Sequence, residues 1–148
     1  MRTALAATWT LLLGMALLML GAGLQGTLVG LRASLEGFPT LLAGIMLAAY
    51  YLGYMVGSVM TPGLVNSVGH VRVFAALTSL ASVLILLQGI FVAPLPWTLV
   101  RILMGFCFAG IYVVAESWLN GRVDNEHRGL LLSIYMLVCY GGLGLGQL

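Results

Sequence analysis

The chain has 148 residues, 61% of them hydrophobic and only 7% charged. Soluble domains carry about a quarter charged residues, so this surface cannot be dressed for water and a soluble fold is excluded. The net charge of +2 comes from six arginines against four acidic residues, spread along the chain without the clustered basic face that nucleic acid requires.

Five apolar segments, at 8–31, 39–61, 73–92, 97–119 and 129–148, approach or reach the length that crosses a hydrocarbon core, which takes about 20 helical residues. Alternation with period two is missing, so a β-barrel is disfavoured. Helix is then the way to satisfy the backbone in lipid, and the expected class is all-α integral membrane. The first segment also reads as a signal peptide, with an apolar core at 11–20 and small residues at Gly21-Ala22-Gly23. Its continuation to Leu31 and the spans behind it favour a retained helix. Gly23, Gly26 and Gly30 fall on roughly one face, a packing stripe of the kind that lets membrane helices approach. Gln25, the one amide of this segment, lies off that stripe and is a weaker candidate for a cavity.

The second segment starts at Pro39, placed in a first turn where its missing N–H costs nothing. Ala49, Gly53 and Gly57 repeat at four-residue spacing and form a second packing stripe. Tyr50 and Tyr54 lie on a neighbouring face, where packing with satisfied hydroxyls competes with lining an aqueous cavity. Pro62-Gly63 is expected to close this helix, and Ala93-Pro94-Leu95-Pro96 to form a tight turn ahead of Trp97.

Arg101 is the most informative residue, because an ionised side chain within a span is expensive and is functional by default. Snorkelling to a nearby interface is the bland alternative. At about 100° per residue, Gly105, Phe108 and Tyr112 share the face of Arg101, with Glu116 nearby at the far end. A face with a cation, aromatic rings and an acid suits a helix lining a cavity. Glu116 is too far along the helix to pair with Arg101; Arg72 and Arg122 are its candidate partners. Asn120 to Arg128 is the hydrophilic connection, and Gly142 and Gly146 mark a packing face on the fifth segment. Cys107 and Cys139 lie within apolar runs and read as small buried hydrophobes. Catalytic residues, metal ligands and cofactors are not expected.

Arginine distribution gives the orientation. A cytoplasmic N-terminus puts Arg2, Arg72, Arg122 and Arg128, with His70 and His127, on the inner side, and only Arg32 outside. Trp9 and Trp118 then lie near the inner interface and Trp97 near the outer one, as aromatic-belt residues.

Two patterns resemble the major facilitator superfamily. Between the second and third segments, Leu64, Gly69 and Arg72 match its inner-loop signature, while Pro62, Asn66, Ser67 and His70 depart from it. In the fourth segment, Arg101-Ile102-Leu103-Met104-Gly105 followed by Gly110 is similar to the superfamily's arginine, three residues, glycine. The run from Gly105 to Asn120 is similar to the YcaD-like bacterial subgroup. The glycines at 141–146 only echo the fifth-helix motif, since its proline is missing. This resemblance implies a secondary transporter of the bacterial inner membrane with twelve helices in two six-helix halves. It holds a small-molecule substrate near the midplane, with access alternating by rocking. The first and fourth helices would line the cavity, through Gln25, Arg101, Phe108 and Tyr112. Asn66, Gly69, Arg72, Glu116 and Arg122 would form an inner gate, weakened because Asn66 replaces the usual aspartate. Residues 1–148 would then be an incomplete N-terminal half that works with a missing C-terminal half. Two other readings stand beside it. A non-transporting scaffold or assembly subunit accounts for the glycine stripes but not for Arg101. A membrane enzyme lacks the nucleophile and metal motifs it would need.

Overall fold

The structure is a computed structural model that describes residues 2–122 and 125–148. Its elements are α1 (Arg2–Leu35), α2 (Thr40–Val68), α3 (His70–Ile90), α4 (Pro94–Asn120) and α5 (Asn125–Leu145). All five are long and apolar enough to cross a membrane, and the described residues contain no strand. α3, the shortest with α5 at 21 residues, is about 32 Å long at 1.5 Å per residue, close to the thickness of a hydrocarbon core. The fold is that of an all-α, multi-pass membrane protein.

The helix ends differ from the sequence expectation by up to about seven residues, and two of the differences fall at prolines. α2 does not stop at Pro62 but runs through it to Val68. Proline leaves one carbonyl of the preceding turn without its N–H, yet membrane helices tolerate this because side-chain hydroxyls and local adjustment serve the freed groups. The carbonyl that Pro62 leaves free is that of Ser58; in the same turn Thr61 Oγ1 donates to the Gly57 carbonyl at 2.7 Å and Ser58 Oγ to that of Met55 at 2.8 Å, adding bonds to the backbone beside the break. The helix ends instead at Gly69, whose φ of +92° suits glycine and whose N–H bonds the Val65 carbonyl at 2.9 Å. α2 and α3 are therefore joined by one residue. α4 starts at Pro94 rather than at Trp97, because prolines in a first turn sacrifice no helical hydrogen bond.

The chain forms two compact units. One holds residues 36–115, with α2, α3 and most of α4; the other holds 1–35 and 116–148, with α1, the last turns of α4, and α5. In the first unit, α2 buries Met46, Ala49, Gly53, Gly57, Thr61 and Val65. α3 buries Val73, Leu77, Ala81, Leu84 and Gln88. Both are single stripes at three- and four-residue spacing, the pattern of a helix touching partners along one face. Half of α4's apolar window is buried, against 28% or less in every other span, so α4 carries most of the packing.

The α2–α4 crossing is made by glycines. A Cβ at Gly53 would run into the Ile102 carbonyl, and one at Gly105 into that of Tyr50. A Cβ at Gly57 would lie 2.6 Å from the Phe106 oxygen. Backbone touches backbone, which is what small residues make possible where lipid gives helices no hydrophobic reason to associate. In the second unit, α1 and α5 cross in the same way. A Cβ at Gly146 would meet the Leu20 carbonyl and one at Gly23 that of Leu143, while one at Gly142 would lie 2.8 Å from the Ala16 oxygen. Gly26 and Gly30, expected to pack, are exposed and meet nothing within 4 Å among the described residues. Of the stripe on α1, Gly23 alone faces α5.

Candidate functional site

The start of α4 is fastened first. Trp97 is 2% exposed, donates its indole N–H to the Gln88 carbonyl at 3.0 Å and meets the Phe38 ring edge-on at 5.5 Å. Expected in an aromatic belt, it is instead buried among the end of α3, the approach to α2 and its own helix.

One turn further along the same stripe comes Arg101. Its guanidinium carbon lies 5.4 Å from the centroid of the Tyr50 ring on α2, within cation–π range. Gly105, a further turn on, explains this placement. Its missing side chain lets α2 reach the backbone of α4 at Tyr50, and the Tyr50 ring is thereby brought beneath Arg101. The spacing of arginine and glycine is thus a geometric unit: the glycine sets the approach and the arginine uses it. The Tyr54 ring lies beside that of Tyr50, tilted by 37° with centroids 6.3 Å apart.

The Arg101 side chain turns towards α2. It lies about 10 Å into α4, and Tyr50 about 15 Å into α2, at 1.5 Å per residue. The guanidinium is turned across onto α2 at that depth. Its Nε is sealed from solvent and has no hydrogen-bond partner. Glu36, the one carboxylate between residues 36 and 115, lies in the connection ahead of α2.

The α1–α5 crossing gives the comparison that decides how to read this pair. Gly53 against Ile102 and Gly105 against Tyr50 correspond to Gly146 against Leu20 and Gly23 against Leu143. In that register Tyr50 is matched by Leu143, and Arg101, four residues before Gly105, by Met19. Met19 is 1% exposed. The same crossing is thus built with two apolar residues where α2 and α4 have a cation on a ring.

The other candidates are distributed more widely. On α4, Phe108 is buried and Tyr112 half-buried. Gln25 is half-buried on α1. Asn66 is exposed in the last turn of α2, and Arg72 is exposed in the first turn of α3. Glu116 is half-buried near the end of α4, in the unit that also holds Arg122. The Arg122 guanidinium is not spent on Glu116: it lies over the Trp118 ring, 4.0 Å from its centroid. Arg72 and Glu116 belong to different units. Sequence reasoning left Tyr50 as a packing residue and passed over Gln88, which is 4% exposed on α3. A tyrosine one turn before a packing glycine was the available signal for the first; nothing marked the second.

The family model for sugar (and other) transporters matches residues 4–148. The chain belongs to that family, within the major facilitator superfamily. Among its curated relatives are an uncharacterized MFS-type transporter of Enterobacter sp. (strain 638) and the MFS-type transporters YcaD of Salmonella newport and Escherichia fergusonii. Each is 33% identical over 138 residues, which is 93% of this chain and 36% of the relative. The chain therefore spans about a third of the length of the curated relatives it matches. No solved structure matches it. In this superfamily member the inner-loop pattern is largely helical. Leu64 and Asn66 close α2, Gly69 is the link, and Arg72 opens α3.

Proposed function

We propose that the chain is the first part of a secondary transporter that carries a small solute by alternating access. It would work together with the further length that its relatives possess, in a bacterial inner membrane with its N-terminus cytoplasmic. The observation that carries this reading is Arg101, a cation about 10 Å into a span and held on Tyr50. Membrane helices retain such groups for pathways and sites rather than for stability. Arg101, with Gln25, Phe108 and Tyr112, is proposed to line the solute cavity. Asn66, Gly69, Arg72, Glu116 and Arg122 are proposed to form the inner gate, with Arg72 paired to Glu116 in one of its two states.

The test uses the full-length gene product in proteoliposomes loaded with a defined mixture of labelled small metabolites, with solute movement read by mass spectrometry. At least one solute should cross with the wild type and not with Arg101→Ala, while the variant inserts at an equal level. Equal movement with both proteins removes Arg101 from the mechanism, and movement with neither removes the transport reading. For the gate, exchanging Arg72 and Glu116 should restore what each single reversal loses. Independent, additive losses would argue against the pair.

A further inference from the structure

We propose that Arg101 and Tyr50 form a binding site for a small oxyanion, a carboxylate or a phosphate, and that this is the chemical class of the carried solute. The second clause rests on the transport reading above; the first rests on the α2–α4 geometry alone.

Four observations lead there. The guanidinium is a full charge well inside a span, and the one carboxylate of its unit, Glu36, lies ahead of α2 rather than within a span. The guanidinium carbon lies over the Tyr50 ring, 5.4 Å from its centroid. Nε, on the stem side, is sealed, while the residue as a whole is half-exposed. The two outer Nη groups are therefore the open edge, and they point in the plane of the group. Two parallel N–H donors at that edge match the two oxygens of a carboxylate or phosphate, the bidentate geometry that distinguishes arginine from lysine. A neutral hydroxylated solute supplies acceptors without charge, and leaves the buried cation uncompensated. Finally, the matching α1–α5 crossing packs with Met19 and Leu143, so the packing itself requires neither the cation nor the ring.

Tyr50 serves as a platform. Its cation–π contact holds the guanidinium in place before binding, so that less ordering is left to the moment of binding. The same chemistry is found on a lipid headgroup phosphate, and the experiment separates the two sources.

Phenylglyoxal, which is neutral and enters membranes, condenses with the outer nitrogens of arginine. Its rate at each arginine can be followed by peptide mass spectrometry. The full chain is placed in phosphatidylcholine nanodiscs and treated in the presence of sodium acetate, sodium phosphate, or sodium chloride at matched ionic strength. Acetate or phosphate should slow modification of Arg101 saturably, by about fivefold once the anion is at about four times its Kd. Chloride should not do so, and Arg32 and Arg128 should react at unchanged rates. Tyr50→Leu should raise the anion concentration needed by about three- to fivefold, the loss of one cation–π contact, while Tyr50→Phe should leave it unchanged. Protection that is equal for all salts, or equal at every arginine, overturns the site, as does an Arg101 that phenylglyoxal does not reach. Protection produced by adding phosphatidylglycerol to the discs, but not by acetate or phosphate, assigns the site to a headgroup and overturns the solute class. Saturable protection in a protein that moves no solute in proteoliposomes keeps the oxyanion site and removes the transport reading. Movement without protection does the reverse.

Discussion

The α1–α5 and α2–α4 crossings solve one packing problem with different side chains above it. Each sets a pair of glycines four apart on one helix, Gly142 and Gly146 or Gly53 and Gly57, against a single glycine on the other, Gly23 or Gly105. Each brings carbonyl oxygens to within touching distance of the opposing Cα positions. Beside one crossing lie Met19 and Leu143; beside the other lie Arg101 and Tyr50. Close approach is therefore a property of the glycines, and what is placed beside it is free to vary. A buried cation is seldom the more stable choice, since replacing buried ionic groups by apolar ones of similar size is often neutral or favourable. Where a fold keeps the costly version in one of two equivalent places, the difference points to function.

The largest expected effect comes from breaking a crossing outright. Gly53→Leu or Gly105→Leu drives a side chain into backbone atoms of the opposing helix. Overpacking commonly costs about 1–3 kcal/mol, and obstruction by backbone belongs at or above the top of that range. Gly146→Leu should do the same in the other unit. Unfolding of the purified chain in mixed micelles with rising SDS would read both; a wild-type midpoint for any of the three would mean that the crossing it tests does not form as described.

The comparison is sharpened by making one crossing resemble the other. Arg101→Met combined with Tyr50→Leu should leave the unfolding midpoint unchanged or raise it, by up to about 1–4 kcal/mol. It should abolish solute movement and the protection by acetate. A marked loss of stability would show that the cation and ring are structural, and would weaken the functional reading of Arg101.

Smaller effects test the surroundings. Trp97→Phe keeps the edge-on contact with Phe38 but removes the donor to the Gln88 carbonyl, which should cost about 1 kcal/mol. An unchanged midpoint would indicate that water or another donor takes its place. The smallest effect is expected at Gly26. With nothing within 4 Å, Gly26→Ala should be neutral or stabilise α1 by up to about 1 kcal/mol through helix propensity. A clear loss in the isolated chain would show that a neighbour does press on that face.

The five helices were legible because apolar runs of spanning length permit little else in lipid. Their ends were less so. Proline is a strong stop signal in water, but α2 passes through Pro62 because a membrane offers the broken backbone no better alternative. The face of α4 carrying Arg101 and Gly105 was legible from helical spacing. That Tyr50 lies under Arg101 was not, since it depends on how far α2 slides along α4, and only the meeting of Gly53, Gly57 and Gly105 fixes that register. Composition likewise could not tell Gly23, which touches α5, from Gly26 and Gly30, which do not. All three look alike until the helix has a neighbour. Trp97 misled because a tryptophan near a helix start suits an interface as well as it suits burial.

Gly69 remains. Because it is the whole of the connection between α2 and α3, these two rods are coupled without slack. A longer loop would absorb a change in the tilt of one before the other felt it. Here a tilt at the C-terminal end of α2 must be taken up by two torsions at a single residue or passed on to α3 as torque. The left-handed φ narrows the choice further, since few residue types can occupy it. Lengthening this link by a few flexible residues should leave each helix intact while uncoupling their motions, turning a stiff lever into a loose one.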